Sequence, residues 1–156
     1  MKLYLIRHGQ AVDHAATDSL RPLTEKGNRQ ARDVGMVLQR LGVQPAYIFA
    51  SPRVRAQETA QHIGTALGVD ITTEDACNFD FDISKALRLA TQGAGEDIIC
   101  VGHNPSMSEV SSQLVSARIS MKTGTVVCIS LHGRHGMLEF VMPAKLAKTI
   151  AGHTDG

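Results

Sequence analysis

The sequence has 156 residues, of which 43% are hydrophobic and 20% charged, and this is the composition of a globular protein with one substantial core. The net charge of +1 offers no general attraction to nucleic acid or to a membrane surface. No apolar run approaches the roughly twenty residues of a membrane helix, and the amino terminus shows no signal-peptide pattern. We expect a cytoplasmic protein with one domain, residues 1–156, ending in a helix and tail at about 144–156.

The three cysteines, Cys77, Cys100 and Cys128, do not suggest a cross-link. Their number is odd, and none belongs to a C-x-x-C pair. Two of them fall within apolar runs. We therefore expect reduced residues of the core, and neither a disulfide nor a structural zinc site.

The first half of the chain alternates strand patterns with helical ones. Residues 2–7 form the first predicted strand, and a polar loop follows it. Thr24 is the predicted cap of the first helix. A second strand at 47–50 leads into another helix, with Ser51 as its predicted cap and Pro52 as its first residue.

The second half continues the alternation and ends in a hairpin. A short strand near 70–73 and a helix at 83–91 precede a buried strand at 97–101. Two late strands, 126–131 and 137–142, form the hairpin and bring antiparallel pairing to one edge of the sheet. We predict an α/β fold, a three-layer α/β/α sandwich whose mostly parallel sheet has an antiparallel edge strand.

Residues suited to chemistry stand where three of these strands end. Arg7 and His8 close the first strand and precede Gly9, Arg55 lies near the start of the helix after the second strand, and His103 follows the strand at 97–101. Right-handed crossovers bring such strand ends to the same edge of an open α/β sheet, where ligands bind. We therefore expect these side chains to share one crevice.

The expected crevice is suited to a phosphoryl group. A guanidinium offers a planar fork of donors that matches phosphate oxygens, and free amides at the helix start near Pro52 add positive potential. A metal site normally combines histidines with carboxylates and avoids adjacent guanidinium groups. The sequence therefore predicts an anion site that needs neither a metal nor a cofactor.

Four motifs in order resemble the histidine phosphatase superfamily, which has the phosphoglycerate-mutase-like fold. They are the RHG of residues 7–9, the LT-x-x-G-x-x-QA that begins at Leu23, the SP-x-x-RA-x-x-TA that begins at Ser51, and the GHNP of residues 102–105. The resemblance spans about residues 1–143. The short chain and the stretch TDSLRPLT are most similar to the small phosphohistidine phosphatases of the SixA type.

The resemblance implies a role for each residue of the crevice. His8 is the nucleophile that takes the phosphoryl group, Arg7 and Arg55 hold its oxygens, and His103 donates to it from the opposite side. Gly9 belongs to the phosphate-binding motif. For Arg21 two interpretations stay open, a further phosphate contact at the rim or an extended pre-proline residue paired with Asp18.

The proton donor is the part of the pattern that does not carry over. In the mutases an asparagine lies six positions after the nucleophile, but here the residue is His14, and the segment that carries their general-acid glutamate is reduced to residues 75–82. Asp80 and Asp82 are candidate general acids, although carboxylates in a polar loop are commonly solvated turn formers.

A missing acid favours a nitrogen leaving group, because a protonated imidazole leaves phosphorus more easily than an alkoxide does. The unperturbed pKa of histidine is about 6.5, so a phosphohistidine leaving group takes its proton at little cost. The chain also lacks an obvious lid over the cleft. We therefore expect a phosphohistidine-bearing protein as substrate and a monomeric enzyme without nucleic-acid or membrane partners.

Three alternatives stay open. The same fold serves phosphatases of small phosphomonoesters, and it could also serve as a phosphate-binding module without catalysis. The third is a cysteine-dependent phosphatase, because Cys128 and Arg134 have the C-x5-R spacing of that class. That class needs a loop leading into a helix, whereas residues 137–142 read as a strand.

Overall fold

A computed structural model describes residues 1–153 of the chain. Its six strands are β1 (Lys2–Arg7), β2 (Tyr47–Ala50), β3 (Ile71–Thr73), β4 (Ile98–Gly102), β5 (Val126–His132) and β6 (His135–Met142). Its five α-helices are α1 (Glu25–Arg40), α2 (Val54–Leu67), α3 (Ile83–Gln92), α4 (Ser106–Val115) and α5 (Ala144–Ile150). The predicted carboxyl-terminal helix corresponds to α5, and residues 154–156 of the predicted tail lie outside the described residues.

The strands form one mixed sheet in the order β3-β2-β4-β1-β5-β6. β1 to β4 run parallel to one another, whereas β5 pairs antiparallel with both β1 and β6. The predicted α/β fold class is confirmed. The late hairpin provides the antiparallel pairing at one side of the sheet, with β6 outermost and β5 between β6 and β1.

Helices cover both faces of the sheet and give it two cores. Alternate residues of β1 point to opposite faces, so Leu3 and Leu5 pack with α3 and α4, whereas Tyr4 and Ile6 pack with α1, α2 and α5. All four side chains are buried. Because both faces are covered, the central strand β4 is buried along its whole length and β1 is buried from Leu3 to Ile6, as expected for parallel strands covered on both sides. Within residues 1–153, no helix is long and apolar enough to cross a membrane.

The predicted start of the second helix is wrong by two residues. α2 begins at Val54, with Arg53 in the capping position, so Ser51 does not cap it and Pro52 is not its first residue. The Ser51 hydroxyl accepts a hydrogen bond from the Arg53 amide and contacts the imidazole of His103. Ser51 therefore lies at the end of β2 beside His103, outside the helix. The predicted cap at Thr24 is confirmed, since its side chain accepts from the amide of Gly27.

The loop after β1 packs directly on the first turn of α1. A Cβ atom at Gly27 would lie 2.0 Å from the carbonyl oxygen of Gln10, and one at Gly9 would lie 2.7 Å from the carbonyl oxygen of Gly27. Backbone therefore meets backbone at this contact, and only glycine fits on either side. The contact holds the residues that follow β1 against the helix.

We expect Gly27→Ala to destabilise the fold, because the added methyl group must displace the Gln10 backbone. Overpacking of this kind costs about 1–3 kcal/mol, whereas alanine in an open helical position would be more stable than glycine by roughly 1 kcal/mol. Urea unfolding measures the difference.

Gly68→Ala is the matched control. The φ of Gly68 is +71°, but nothing lies within 4 Å of the added carbon. Only the cost of a left-handed alanine, about 1–2 kcal/mol, therefore applies. A Gly27→Ala protein as stable as the wild type would contradict the contact.

Candidate active site

The ends of β1 and β4 place two histidines side by side. Arg7 at the end of β1 is in register with Gly102 at the end of β4, and the amide of His8 donates to the carbonyl oxygen of Gly102 over 3.0 Å. The ring centroids of His8 and His103 lie 5.2 Å apart. The sheet itself therefore sets the spacing of the two imidazoles, as the parallel topology predicts.

The side chain of His8 is held in one orientation. Its Nδ1 lies 2.6 Å from the carbonyl oxygen of Gly9, and because a carbonyl only accepts, Nδ1 carries the hydrogen of the neutral ring. The other ring nitrogen, Nε2, then carries a lone pair, and this lone pair accepts a hydrogen bond from the Nε of Arg55 over 3.3 Å. The amide of Gly9 donates to Thr59 Oγ1, which in turn donates to the carbonyl oxygen of Arg55. These contacts link the loop after β1 to α2 and leave Nε2 as the ring nitrogen with a lone pair.

Both histidines are neutral near neutral pH. Burial lowers the pKa of His8 to about 4. The hydrogen bond to Gly9 raises this pKa, whereas the positive charges of Arg55 and Arg7 lower it further. Burial lowers the pKa of His103 to about 3, with contributions from His8 and Arg55. An imidazole attacks only as the free base, so this electrostatic environment keeps both rings in the form that the predicted nucleophile needs.

The two arginines are anchored differently. Arg55, the second residue of α2, is 4% exposed and directs its Nη atoms to Asp18. Arg7 donates from Nη1 to the carbonyl oxygen of Met121, and its buried Nε has no partner among the described residues. Both guanidinium groups therefore lie at the same sheet edge as the two imidazoles, and a buried donor of Arg7 is unused.

Asp18 is the residue that the sequence interpretation underestimated. It stands in a short 3-10 helix at Asp18–Leu20, and its carboxylate accepts from Arg21, Arg53 and Arg55. The hydrogen bonds from Arg21 and Arg55, together with the positive charge of Arg53, lower the pKa of this carboxyl group. The only signal in the sequence was its spacing of three residues from Arg21. Nothing in the local pattern indicated Arg53 or Arg55 as partners.

Phe79 is a second residue that the sequence did not single out. Its ring centroid lies 4.7 Å from that of His103, and the Cζ of Arg53 lies 4.0 Å from the Phe79 ring centroid. The side chain is 48% exposed, so an apolar ring borders the buried His103 on the solvent side. Phe79 lies in the loop at 75–82, where only the carboxylates suggested a function in the sequence.

The remaining predicted site residues have other partners in the structure. Asp82 caps α3 by accepting from the amide of Lys85, and Asp80 pairs with the Lys85 ammonium group at 2.9 Å. Arg21 donates from Nε to the carbonyl oxygen of Val12 as well as to Asp18, and its backbone is extended before Pro22. The Asp18 pairing considered for Arg21 is therefore present. Phosphate contacts by Arg21 and Gly9 stay predictions.

The C-x5-R alternative does not fit the structure. Cys128 lies buried within β5, and burial raises the pKa of its thiol to about 11. Arg134 lies in the turn of the hairpin, and strand β6 follows it where that mechanism needs a helix. Among residues 1–153, no three histidine, cysteine or acidic side chains are grouped as metal ligands.

The comparison with protein families gives one match. The model of the histidine phosphatase superfamily (branch 1) matches residues 3–78, a segment that includes His8 and Arg55. The chain belongs to the histidine phosphatase superfamily.

Two curated relatives of this chain have names that state different substrates. The phosphohistidine phosphatase SixA of Escherichia coli is 27% identical over 119 residues, which are 73% of this chain and 74% of SixA. The mitochondrial serine/threonine-protein phosphatase Pgam5 of Drosophila mojavensis is 39% identical over 77 residues, which are 49% of this chain but only 27% of Pgam5. The chain therefore spans about a quarter of the Pgam5 length and most of the SixA length.

Solved structures agree with the phosphoglycerate-mutase-like fold. The protein histidine phosphatase SixA complexed with tungstate superposes with a TM-score of 0.84 at 24% identity, covering 93% of this chain and 98% of that chain. An Escherichia coli protein described as a putative alpha-ribazole-5'-P phosphatase gives a TM-score of 0.73 at 18% identity, with 92% and 98% covered. The shared fold thus includes proteins with different named substrates.

We expect acid to destabilise the protein through its buried histidines. In the unfolded chain these two histidines take up protons as the pH falls below about 6.5. In the folded protein His8 stays neutral to about pH 4 and His103 to about pH 3. The unfolded state therefore binds more protons between pH 6.5 and 4, and the free energy of unfolding decreases over that window.

Urea unfolding at pH 7 and pH 5 measures this effect. His8→Gln removes one of the two groups, so its loss of stability between the two pH values should be smaller than in the wild type. The control is His14→Gln, at an exposed position of the same loop, which should retain the wild-type loss. Equal losses in all three proteins would contradict the low pKa of His8.

We expect Asp18→Asn to bind inorganic phosphate more tightly than the wild type does. The Asp18 carboxylate occupies guanidinium donors of three arginines and repels an incoming anion. Removing one negative charge near the site should increase phosphate affinity by about tenfold, on the order of 1 kcal/mol. Isothermal titration measures it, with Asp80→Asn as the control because Asp80 pairs with Lys85 instead. Weaker binding by Asp18→Asn would show that the carboxylate positions the arginines.

Proposed function

We propose that this protein is a phosphatase that removes the phosphoryl group from phosphohistidine in a protein, through a covalent phospho-His8 intermediate. The observation that carries the proposal is the orientation of His8. Its Nδ1 is fixed on the carbonyl oxygen of Gly9, and its Nε2 lone pair faces the guanidinium of Arg55. A neutral imidazole with one free nitrogen beside a cation is suited to attack phosphorus.

In the first step, His8 Nε2 forms a bond to phosphorus as the bond from phosphorus to the leaving nitrogen breaks. Arg55 Nε, which donates to His8 Nε2 in the structure, turns its hydrogen bond to a phosphoryl oxygen. Arg7 and His103 stand at the same edge to hold the other oxygens, and the positive charge of the arginines stabilises the transferring group. In the second step, water attacks phospho-His8, and orthophosphate and neutral His8 are released.

The carboxylates near the site support a nitrogen leaving group. Asp18, which contacts Arg55, is held ionised because Arg21, Arg55 and Arg53 lower the pKa of its carboxyl group. An ionised carboxylate has no proton to give to an alkoxide. Asp80 and Asp82 are engaged by Lys85 and by the start of α3. A departing imidazole needs no such donor, because it is easily protonated at neutral pH.

The similarity to SixA supports the same substrate class, because that relative is a phosphohistidine phosphatase and is matched over 74% of its length. The similarity to Pgam5, a serine/threonine-protein phosphatase, favours a phosphomonoester. The two possibilities differ in the atom that leaves phosphorus, and this difference can be measured directly.

The test compares the kcat/KM for a small protein phosphorylated on histidine with the values for a phosphoserine peptide and p-nitrophenyl phosphate. We expect the phosphohistidine protein to be hydrolysed fastest, and acid-labile phosphoenzyme to accumulate in rapid-quench samples. Faster hydrolysis of both phosphomonoesters would replace the proposal with a phosphomonoesterase. Phosphate binding without any phosphoenzyme would indicate a non-catalytic module.

The same assay tests the roles of individual residues. His8→Ala should abolish the phosphoenzyme and reduce turnover by at least about 10⁴-fold, because the nucleophile is lost. Arg55→Ala should reduce turnover by about 10²–10³-fold, the usual effect of removing one donor to the reacting oxygens. His14→Ala, at an exposed position of the same loop, is the matched control and should be fully active. A near-wild-type rate for His8→Ala would exclude the mechanism.

A further inference from the structure

We propose that Ser51 fixes the tautomer of His103, so that this histidine presents an N–H to the bound phosphoryl group. Ser51 is then a positioning residue that acts through His103 and does not touch the substrate. The proposal rests on the proposed function for the identity of the anion. The tautomer itself can be measured without any substrate.

The contacts of Ser51 determine where its hydroxyl hydrogen goes. The residue is 0% exposed, and its Oγ lies 2.8 Å from Nε2 of His103 and 3.3 Å from the amide nitrogen of Arg53. The Arg53 amide is a donor, so Oγ accepts from it. A buried hydroxyl hydrogen needs an acceptor, and among the described contacts of this hydroxyl the acceptor is His103 Nε2.

This assignment decides the protonation of the His103 ring. Because burial keeps the ring neutral by lowering its pKa, it carries one hydrogen. If Nε2 accepts from Ser51, that hydrogen is on Nδ1. Nδ1 is buried and has no hydrogen-bond partner in the described part of the chain. Ser51 therefore leaves His103 with a buried N–H donor that is not yet used.

The strand order indicates the direction of this donor. β4, which His103 follows, lies between β2, which Ser51 follows, and β1, which His8 follows. The two nitrogens of an imidazole point to nearly opposite sides of the ring. The nitrogen bonded to Ser51 faces the β2 side, so Nδ1 faces the β1 side, where the His8 ring centroid is 5.2 Å away. An N–H there attracts a phosphoryl oxygen, whereas a lone pair would repel it.

The decisive measurement is the tautomer of His103 in the substrate-free wild-type protein. Long-range ¹H–¹⁵N correlation spectra show which ring nitrogen carries the hydrogen, and His103→Gln assigns the signals. We expect Nδ1–H in the wild type. A wild-type ring with its hydrogen on Nε2 would overturn the proposal.

Two variants then test whether Ser51 is the cause. In Ser51→Ala we expect the Nδ1–H population to fall and inorganic phosphate to bind about tenfold more weakly, because one charge-assisted hydrogen bond is weakened. Ser106→Ala is the matched control, since its buried hydroxyl donates to the backbone carbonyl of His103 over 3.0 Å and not to the ring. Ser106→Ala should keep the wild-type tautomer. Retention of Nδ1–H in Ser51→Ala would also overturn the proposal.

These measurements separate the two proposals. If His103 carries Nδ1–H through Ser51 but no phosphoenzyme forms from any donor, the proposed function fails and the assignment of Ser51 stands. If phosphoenzyme forms while the wild-type ring carries its hydrogen on Nε2, the proposed function stands and the role of Ser51 is wrong. Ser51→Thr, which keeps the hydroxyl, should restore both the tautomer and the phosphate affinity.

Discussion

The carbonyl oxygen of Gly9 lies 2.6 Å from Nδ1 of His8, and the arrangement of the site depends on that one contact. It determines the tautomer of His8, and so which nitrogen has a free lone pair. The carbonyl can serve this purpose only while the loop after β1 is held still. The Thr59 hydroxyl binds the Gly9 amide on one side, and the backbone of Gly27 packs against Gly9 on the other. The motifs that begin at Leu23 and Ser51 thus hold the RHG motif of residues 7–9 in place.

Positive charge and burial act together on the same ring. Burial alone lowers the pKa of a histidine, and neighbouring arginines lower it further. The same guanidinium groups would attract any anion, and two of them, those of Arg55 and Arg21, bind the Asp18 carboxylate in the structure. The site therefore combines a neutral imidazole with a concentrated positive field, and the Asp18 carboxylate partly neutralises that field.

The sequence predicted the fold and the meeting of Arg7, His8, Arg55 and His103, because these depend on strand ends in a parallel sheet and on periodic burial. It did not predict that Arg53 and Arg55 also bind Asp18, nor did it predict the position of Phe79. Asp18 and Phe79 lie in irregular segments between regular elements, where side-chain direction depends on tertiary contacts and not on a repeating pattern. The start of α2 was misplaced for a related reason. Ser51 has the properties of a helix cap, but the neighbouring imidazole competes for its hydroxyl.

The register between β1 and β4 has a consequence for how the site forms during folding. Arg7 is opposite Gly102, so His8 and His103 come together only when strands from distant parts of the chain have paired. Loop closure over such a separation is slow and is stabilised only by the finished core. A nascent chain that has folded as far as α2 holds His8 and Arg55 but not the second imidazole. Assembly of the complete site therefore coincides with completion of the central sheet, and this makes the site a sensitive reporter of the native state.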